Sequence, residues 1–473
     1  MGDQQPVIWW VRKDLRLADN PALTAAIADG APVIPLFIFD EVVERYGAAP
    51  KWRFLLGARA FAARLGALGS RLVFRRGAAL AVLRDVMAET GARRVIWTRD
   101  LDPDAVARDT AVKSALKFAG IEARSVKGNL LFEPWTVATK TGGFYRVYTP
   151  FWKAVRDTDV PVPKRAPSTI PAPPDWPASD DPDTWDYARP MDRGAAVVAP
   201  HLQLGERAAL ERLETFIADW VADYVANRDR PAVPGTSLLS QNLAWGEIGP
   251  ATCWHAGRRA LEAGKVGAET FLKELVWREF AYHLIYHTPQ IVSGNWRPEW
   301  DAFPWGTDAS APAVIAWRQG RTGLPFVDAA MREMYVTGTM HNRGRMIVAS
   351  YLTKHLMTHW QIGKRWFEDC LVDWDPASNA MGWQWSAGSG PDATPYFRIF
   401  NPETQLTKFD PDAIYTSAWI AEGQRQPSAT ALSYFEAIPR SWQLSPSDPY
   451  PTPVVSAGEG RQRALAAYET RGF

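Results

Sequence analysis

The stretch 374–385 reads WDPASNAMGWQW and places oxidisable aromatic rings beside polar side chains. It contains three tryptophans and Asn379, and Asp375 follows Asp373 at its start. A hydrophobic core needs only well-packed aliphatic side chains, so this much indole beside carboxylates and an amide indicates a chemical role. The carboxylates and the amide can hydrogen-bond a polar ligand, while the indoles can stack on a ligand or supply electrons.

Tryptophan is frequent in the whole chain. Its 23 copies exceed the 20 of phenylalanine, the 14 of tyrosine and the 9 of methionine. Closely spaced indoles can form an electron relay, because each ring can be oxidised to a radical cation and pass the hole to the next. Trp305, Trp360 and Trp383 are candidates for such a relay. The alternative is that these rings fill large cores or form surface platforms.

A helical segment at 270–283, TFLKELVWREFAYH, carries a carboxylate, a flat ring and a cation. Glu274, Trp277 and Arg278 are three and four residues apart, so they share one helical face. The pattern predicts either the wall of a ligand cavity or a surface Glu–Arg pair covered by an aromatic ring. The opposite, apolar face carries Leu275, Phe280 and Leu284.

A second polar segment lies at 337–352, TGTMHNRGRMIVASYL. Asn342 and Met346 are four residues apart, with Arg343 and Arg345 between them. An asparagine can pair with the donor–acceptor edge of a heteroaromatic ligand, and a thioether can pack on its ring face. The alternative is a solvated polar turn that enters a helix.

The segment 228–240, RDRPAVPGTSLLS, combines a glycine with small hydroxyl residues. Thr236, Ser237 and Ser240 would suit a phosphate, because amides and hydroxyls at a helix start bind anions. A plain helix N-cap explains the same residues equally well.

The first third of the chain predicts the scaffold, a doubly wound parallel sheet in an α/β domain. Short apolar runs alternate with Ala/Leu-rich helical stretches, which is typical of strand–helix–strand units with helices on both faces of the sheet. Neither a G-x-G-x-x-G fingerprint nor a P-loop is present. The predicted strands are 7–11, 33–39, 71–76, 93–98 and 121–126.

The rest of the chain divides by composition. The proline-rich stretch 157–200 cannot sustain helices and predicts an interdomain connector. From residue 201, apolar residues repeat every three or four positions, which is typical of helices. We therefore expect an α/β domain over residues 1–130, a linker over 131–200 and an all-α domain over 201–473.

Charge and hydropathy limit the environment of the protein. The formal net charge is +1, so a nucleic-acid partner would need a local basic patch. No apolar run is long enough for a membrane span, and the N-terminus lacks a secretion signal. Cys253 and Cys370 are isolated, which predicts neither a metal site nor disulfides and fits a reducing cytoplasm. We expect a cytoplasmic monomer without an obligate protein partner.

Together these motifs resemble the DNA photolyase/cryptochrome family over most of the chain. The resemblance implies an N-terminal α/β domain, a long connector and a helical domain that holds FAD folded into a U shape. It also implies an antenna chromophore, either methenyltetrahydrofolate or a deazaflavin, to which we assign no residues. The stretches that carry it are WWVRKDLRLADNPAL (9–23), GTSLLS, ELVWREF, AWRQGRTGLPFVDAAMREM (316–334), MHNRGRM, WDPASNAMGWQW and YFRIFNP.

The resemblance implies roles for individual positions. Asn379 would face N5 of the flavin, and Leu238 departs from relatives that carry Arg there. The photoreduction chain would be Trp383, Trp360 and Trp305, the last reached across a small alignment gap. The pocket for the pyrimidine dimer would hold Glu274, Trp277, Asn342, Met346 and Trp385. FAD would be bound by Tyr224, Arg228, Thr236, Ser237, Leu239, Ser240, Arg278, Arg345, Asp373, Asp375 and Asn379.

The resemblance implies light-dependent repair of UV-damaged DNA. Excited, reduced FAD would donate an electron to a flipped-out cyclobutane pyrimidine dimer, and the electron would return after the ring opens. An Asn at 379, where plant-type cryptochromes tend to carry Asp, favours this reading, and the tract resembles a bacterial dimer photolyase. The alternatives are a blue-light receptor, a (6-4) photolyase, disfavoured because Asn342 and Met346 supply no second histidine, and a nucleotide-binding α/β protein with an unrelated helical domain.

Overall fold

The computed structural model describes residues 5–393 and 395–473, and its first domain is built on a parallel sheet. The five strands lie in the order β3-β2-β1-β4-β5, and every neighbouring pair is parallel. All the predicted strands are confirmed, with small differences at their ends. They are β1 (Val7–Val11), β2 (Val33–Phe39), β3 (Val73–Arg76), β4 (Arg94–Thr98) and β5 (Glu122–Val126).

Helices cover both faces of the sheet, and strand residues enter alternate cores because successive side chains point to opposite faces. Trp9 packs against Phe61 with ring centroids 5.8 Å apart, and Trp10 packs on the other face against Trp97 at 5.7 Å. The core on the Trp9 face continues into the helical domain. The helices of this domain are α1 (Pro21–Ala26), α2 (Ala48–Gly66), α3 (Ala79–Thr90) and α4 (Pro103–Phe118).

The C-terminal domain is helical, as the apolar periodicity predicts, and none of its described residues forms a strand. No helix in the described part of the chain has the length and apolar character needed to cross a bilayer. After α5 (Tyr148–Val155) and α6 (Gly194–Val198), the helices are α7 (Gly205–Thr215), α8 (Tyr224–Asn227), α9 (Ser240–Ala244), α10 (Pro250–Glu262), α11 (Ala268–His287), α12 (Pro312–Arg318), α13 (Pro325–Thr337), α14 (Asn342–Ser350), α15 (Trp360–Cys370), α16 (Pro376–Ala387), α17 (Pro402–Phe409), α18 (Ile414–Trp419), α19 (Ala429–Ala437) and α20 (Ala457–Glu469).

The stretch 131–200 stays a prediction as a linker, but its first part packs into the helical domain. Tyr148 and Phe151 of α5 are buried in the same cluster as Phe271 of α11. The Tyr148 hydroxyl donates a hydrogen bond to the Lys273 carbonyl oxygen at 2.7 Å. This segment therefore contributes side chains to the surroundings of α11.

A buried ion pair joins the two domains. The Arg53 guanidinium on α2 donates to both carboxylate oxygens of Glu247, at 2.9 and 2.7 Å. Both side chains are fully buried. The adjacent Gly246 has φ +68°, and a Cβ there would lie 1.9 Å from the Lys13 carbonyl oxygen, so only glycine permits this close contact between the domains.

Candidate active site

Three helices, α11, α14 and α16, present most of the side chains that the sequence indicates for chemistry. Both α11 and α14 pack against α16. His341 caps α14, since its Nδ1 accepts a hydrogen bond from Arg343 N at 3.1 Å. Asp375 caps α16 in the same way by accepting from Ser378 N at 2.7 Å. The expected apolar face of α11 is buried, with Leu275, Phe280 and Leu284 inside the domain.

Glu274 on α11 forms an ion pair with Arg228, not with Arg278. The Arg228 guanidinium also lies 5.4 Å from the centre of the Tyr224 ring. Burial alone would lower the pKa of Arg228, but Glu274, Tyr224 and Asp229 together outweigh it and the pKa is raised. Arg278 instead donates to the Asn129 carbonyl oxygen at 2.8 Å. The two charged side chains on this face of α11 therefore have different partners. Glu274 pairs with Arg228, whereas Arg278 contacts the α/β domain.

Trp277 stacks on Tyr148, with ring centroids 3.6 Å apart and planes 7° from parallel. One face of the Trp277 ring is therefore covered by the protein, and only the other can contact a ligand. The sequence did not reveal this contact, because Tyr148 lies in the connector, where no periodic pattern points to it.

The polar end of α14 lies beside the segment that holds Arg228. Asn342 Nδ2 is 4.0 Å from Met346 Sδ, with Asn342 exposed and Met346 half-buried. Arg343 forms a salt bridge of 2.6 Å with Asp229, the residue after Arg228. This salt bridge connects α14 to the segment that pairs with Glu274 on α11. In the sequence, only the carboxylate of Asp229 next to Arg228 hints at this connection.

Arg345 and Asp373 form a second ion pair, with Nη2 and Oδ2 2.7 Å apart. Asp373 is buried, and its other oxygen, Oδ1, has no hydrogen-bond partner among the described residues. An unsatisfied buried acceptor costs free energy, so this oxygen suits a ligand that donates a hydrogen bond. Behind the pair, Glu333 accepts from Tyr415 Oη at 2.5 Å and from His341 N at 3.2 Å. Burial raises the pKa of Glu333 to about 7.

Asp375 uses both carboxylate oxygens within the protein. One caps α16, and the other accepts from Tyr282 Oη at 2.6 Å. Its role as a flavin ligand stays a prediction. Asn379, one turn along α16, donates through Nδ2 to the Lys364 carbonyl oxygen at 3.1 Å. A Cβ at Gly382, a further turn along, would have no described neighbour within 4 Å, so α16 borders open space there.

The candidate phosphate-binding segment is irregular. Thr236 and Ser237 are half-buried outside any helix, and Leu238 has φ +52° with an exposed side chain. Leu239 is buried, while the exposed Ser240 begins the short helix α9. The phosphate role of this segment stays a prediction.

Trp383 lies in an aromatic cluster in the core of the helical domain. Its ring centroid is 5.0 Å from that of Phe367 and 6.1 Å from that of Trp317. α15 approaches closely because residue 363 is glycine, and a Cβ there would lie 2.0 Å from the Trp383 ring. Trp385 is half-buried, and its ring centroid is 6.5 Å from that of Phe400.

The other two relay candidates lie on either side of one imidazole ring. The His359 ring centroid is 5.6 Å from that of Trp360 and 5.4 Å from that of Trp305. Trp360 Nε1 donates to Asn295 Oδ1 at 2.8 Å, and Trp305 Nε1 donates to a backbone carbonyl at 2.9 Å. The structure therefore brings Trp360 and Trp305 together through His359, a residue to which no sequence pattern pointed.

Comparison with known proteins identifies the family. Residues 7–171 match the family model described as DNA photolyase, and residues 271–470 match the FAD binding domain of DNA photolyase. The chain belongs to the DNA photolyase family. A deoxyribodipyrimidine photo-lyase of Agrobacterium fabrum is 45% identical, over 98% of this chain and 97% of its own. The crystal structure of a class III photolyase from Agrobacterium tumefaciens matches with a TM-score of 0.91 at 44% identity, covering 99% of this chain and 98% of its own. Cryptochrome-1 of Arabidopsis thaliana is 32% identical, over 96% of this chain and 69% of its own.

Membership in the photolyase family confirms the two-domain fold class and FAD as the cofactor. Two features of the helical domain fit a flavin. The unpaired Asp373 oxygen can accept a hydrogen bond from a polar N–H or O–H group, and the open space at Gly382 leaves room for a planar ring beside Asn379. The individual FAD-binding residues and the antenna chromophore stay predictions.

Proposed function

We propose that this protein is a deoxyribodipyrimidine photo-lyase that splits cyclobutane pyrimidine dimers in UV-damaged DNA with light absorbed by FAD. The observation that carries the proposal is the group of side chains around the Glu274–Arg228 ion pair. This part of the FAD-binding domain holds a carboxylate, the open face of the Trp277 ring and the polar start of α14. The relatives named deoxyribodipyrimidine photo-lyase support this substrate class.

Bound FAD supplies the photoexcited electron that opens the cyclobutane ring and receives it back. Asp373, with its unpaired oxygen, and Asn379 would hydrogen-bond the ring system and its ribityl chain. Arg345 would hold the Asp373 carboxylate in place. The remaining flavin ligands, also carried over from the family resemblance, would be Tyr224, Arg228, Thr236, Ser237, Leu239, Ser240, Arg278 and Asp375.

The substrate pocket would receive a dimer flipped out of the duplex, which costs less than flipping a normal pair because a lesion is poorly stacked. The open face of Trp277, together with Trp385, would stack on the dimer, each contributing about 1–3 kcal/mol. Glu274 would accept a hydrogen bond from a pyrimidine N–H, and Arg228 would offset its charge while negative charge develops on the dimer. The polar start of α14, with Asn342 and Met346, would complete the pocket.

Lysine and arginine side chains around the pocket would bind DNA phosphates, so affinity should fall as salt rises. We further propose that the protein works as a monomer in the cytoplasm without an obligate protein partner. Its two cysteines support a reducing compartment, because both are free thiols.

A blue-light receptor is the second candidate, because Cryptochrome-1 matches most of this chain. The photo-lyase relative is closer, at 45% against 32% identity, and Asn379 also favours repair. Illumination of reduced protein with oligonucleotides that carry either a thymine cyclobutane dimer or a (6-4) photoproduct separates the candidates. Repair of the first alone supports the proposal, repair of the second alone favours the (6-4) activity, and repair of neither favours the receptor.

A further inference from the structure

Trp300 extends the line of aromatic rings beyond Trp305. The two indoles are stacked, with ring centroids 5.5 Å apart and planes 22° from parallel. Trp300 lies in a short 3₁₀ turn, Pro298–Ala302. We infer that Trp300, and not Trp305, is the terminal electron donor of the tryptophan chain. The inference rests on bound FAD and on the relay of Trp383, Trp360 and Trp305 that the family resemblance implies.

The indole N–H groups distinguish the rings. An oxidised indole becomes long-lived when its Nε1 proton leaves, so the terminal donor needs a route for that proton. Trp383 Nε1 is buried and has no acceptor among the described residues. Trp360 and Trp305 donate to an amide oxygen and a backbone carbonyl, neither of which takes up a proton at neutral pH. These three rings therefore pass the hole onward instead of retaining it.

Trp300 has the route that the other rings lack. Trp300 is 4% exposed and Trp305 6%, so overall exposure does not separate them, but Trp300 Nε1 is not a fully buried unpaired atom in the described part of the chain. No described residue accepts a hydrogen bond from this nitrogen, so it reaches solvent. An electron passes from Trp300 to oxidised Trp305, which returns to its neutral form, and the Trp300 Nε1 proton passes to water. The electron acceptor at the start of this relay is light-excited oxidised FAD.

The imidazole ring between Trp360 and Trp305 also permits the transfer. Between Trp360 and Trp305, burial lowers the pKa of His359 and keeps the bridging imidazole neutral. A neutral bridge does not repel the hole.

The neighbouring tyrosines are poorer donors. The Tyr396 ring centroid is 5.4 Å from that of Trp300, but its hydroxyl donates to Met357 Sδ at 3.4 Å, and a thioether does not accept the phenolic proton. Burial also raises the pKa of Tyr396. Tyr468 carries the Arg471 guanidinium 3.4 Å from its ring centre, a cation that opposes oxidation. The hole therefore stops at Trp300.

Time-resolved absorption of the oxidised, FAD-loaded protein tests the inference. The variant is Trp300→Phe, and the matched control is Trp254→Phe, another nearly buried indole that lies in a separate cluster with Phe132 and Trp152. We expect Trp300→Phe to lose most of the long-lived neutral tryptophan radical, and Trp254→Phe to retain it. Equal radical yield and lifetime in wild type and Trp300→Phe would overturn the inference, as would a tyrosine radical in the wild type.

The variant Trp300→Tyr tests the inference through the appearance of a new radical signal, so the test holds even if Trp300→Phe fails to fold. A hole that reaches position 300 should oxidise the new tyrosine, whose proton can leave to water, so a tyrosine radical should replace the tryptophan radical. Persistence of the tryptophan radical in this variant would place the end of the chain at Trp305.

A second readout needs no light. In protein labelled with ¹⁵N-tryptophan, the indole N–H resonance that disappears in Trp300→Tyr should exchange with D₂O much faster than that of Trp305. Slow exchange at Trp300 would contradict the proton route. Dimer repair by chemically reduced wild type is assayed separately, so failure of the proposed function is distinguishable from failure of this inference.

Discussion

Glu274 forms an ion pair with Arg228, a residue distant along the chain. This contact makes the role of Glu274 testable. We expect Glu274→Ala to lower the quantum yield of repair more than the affinity for damaged DNA, because the hydrogen bond it supplies matters most as charge develops on the dimer. Loss of a hydrogen bond to a charged group corresponds to about 1.5–3 kcal/mol. Yield per absorbed photon and Kd from a gel-shift assay are the two measurements.

Glu269→Ala is the matched control for this change. Glu269 lies on the same helix, is exposed and pairs with Lys273 at 3.3 Å. It should leave both quantities unchanged. If Glu274→Ala weakens binding but repairs with the wild-type yield, the electrostatic role assigned to Glu274 is wrong.

Trp383 is the candidate for the first ring of the relay. We expect Trp383→Phe to block photoreduction of oxidised flavin and to spare repair by chemically reduced protein, because the relay refills the flavin but takes no part in ring opening. Absorption spectra under illumination with an external reductant follow the first activity, and dimer repair follows the second. Loss of both activities in a folded variant would contradict the relay assignment.

For individual residues, the resemblance of the motifs to a family indicates which side chains belong to the site, but not which residues those side chains contact. Asp373 and Asn379 stand in a motif that the sequence displays. Arg228, Tyr148 and Lys364 approach the site from segments far away along the chain. Such contacts depend on how helices pack, and no local periodicity records them.

The packing of α15 on α16 depends on the absence of a side chain at Gly363. A Cβ there would meet the Trp383 ring at 2.0 Å. Alanine in a helix interior normally gains about 1 kcal/mol over glycine. Here we expect Gly363→Ala to destabilise the protein by about 1–3 kcal/mol through overpacking. Urea unfolding of the FAD-free protein measures the change.

Gly382→Ala is the control, since a Cβ there has no described neighbour within 4 Å. It should stabilise the FAD-free protein by up to about 1 kcal/mol. It should also weaken FAD retention if the flavin occupies this space. A stabilised Gly363→Ala variant would show that α15 and α16 pack differently. A Gly382→Ala variant with wild-type FAD content would show that the flavin does not occupy the space beside Gly382.

The elements themselves were largely predictable, because buried parallel strands and amphipathic helices each have a characteristic periodicity. The apolar runs predict β1 to β5, and the helical period predicts α11. The strand order β3-β2-β1-β4-β5 did not follow from these patterns, since β1 and β2 are buried along their whole length and their apolar sequences do not specify which strands they pair with. Short helices such as α8 and α9 were not predicted either, because so few residues establish no period.

The two domains are joined through the buried Arg53–Glu247 pair. We expect Arg53→Met to cost about 3–5 kcal/mol, because it leaves the Glu247 charge buried without a partner. The double variant Arg53→Met/Glu247→Leu should recover most of this loss. Arg207→Met, which breaks the exposed pair with Glu211, should change stability little. Denaturant unfolding compares the variants, and a double variant no more stable than Arg53→Met would contradict the explanation.

The central claim concerns the whole molecule: FAD in the helical domain delivers an electron to a crosslinked pyrimidine pair held outside the duplex. The most direct test is to illuminate the fully reduced protein with an oligonucleotide that carries one thymine cyclobutane dimer, and to measure intact thymines by chromatography. We expect restored thymines in the light, none in the dark, and no net oxidation of the protein. Dimers that remain intact under illumination, in protein that retains its FAD, would contradict it.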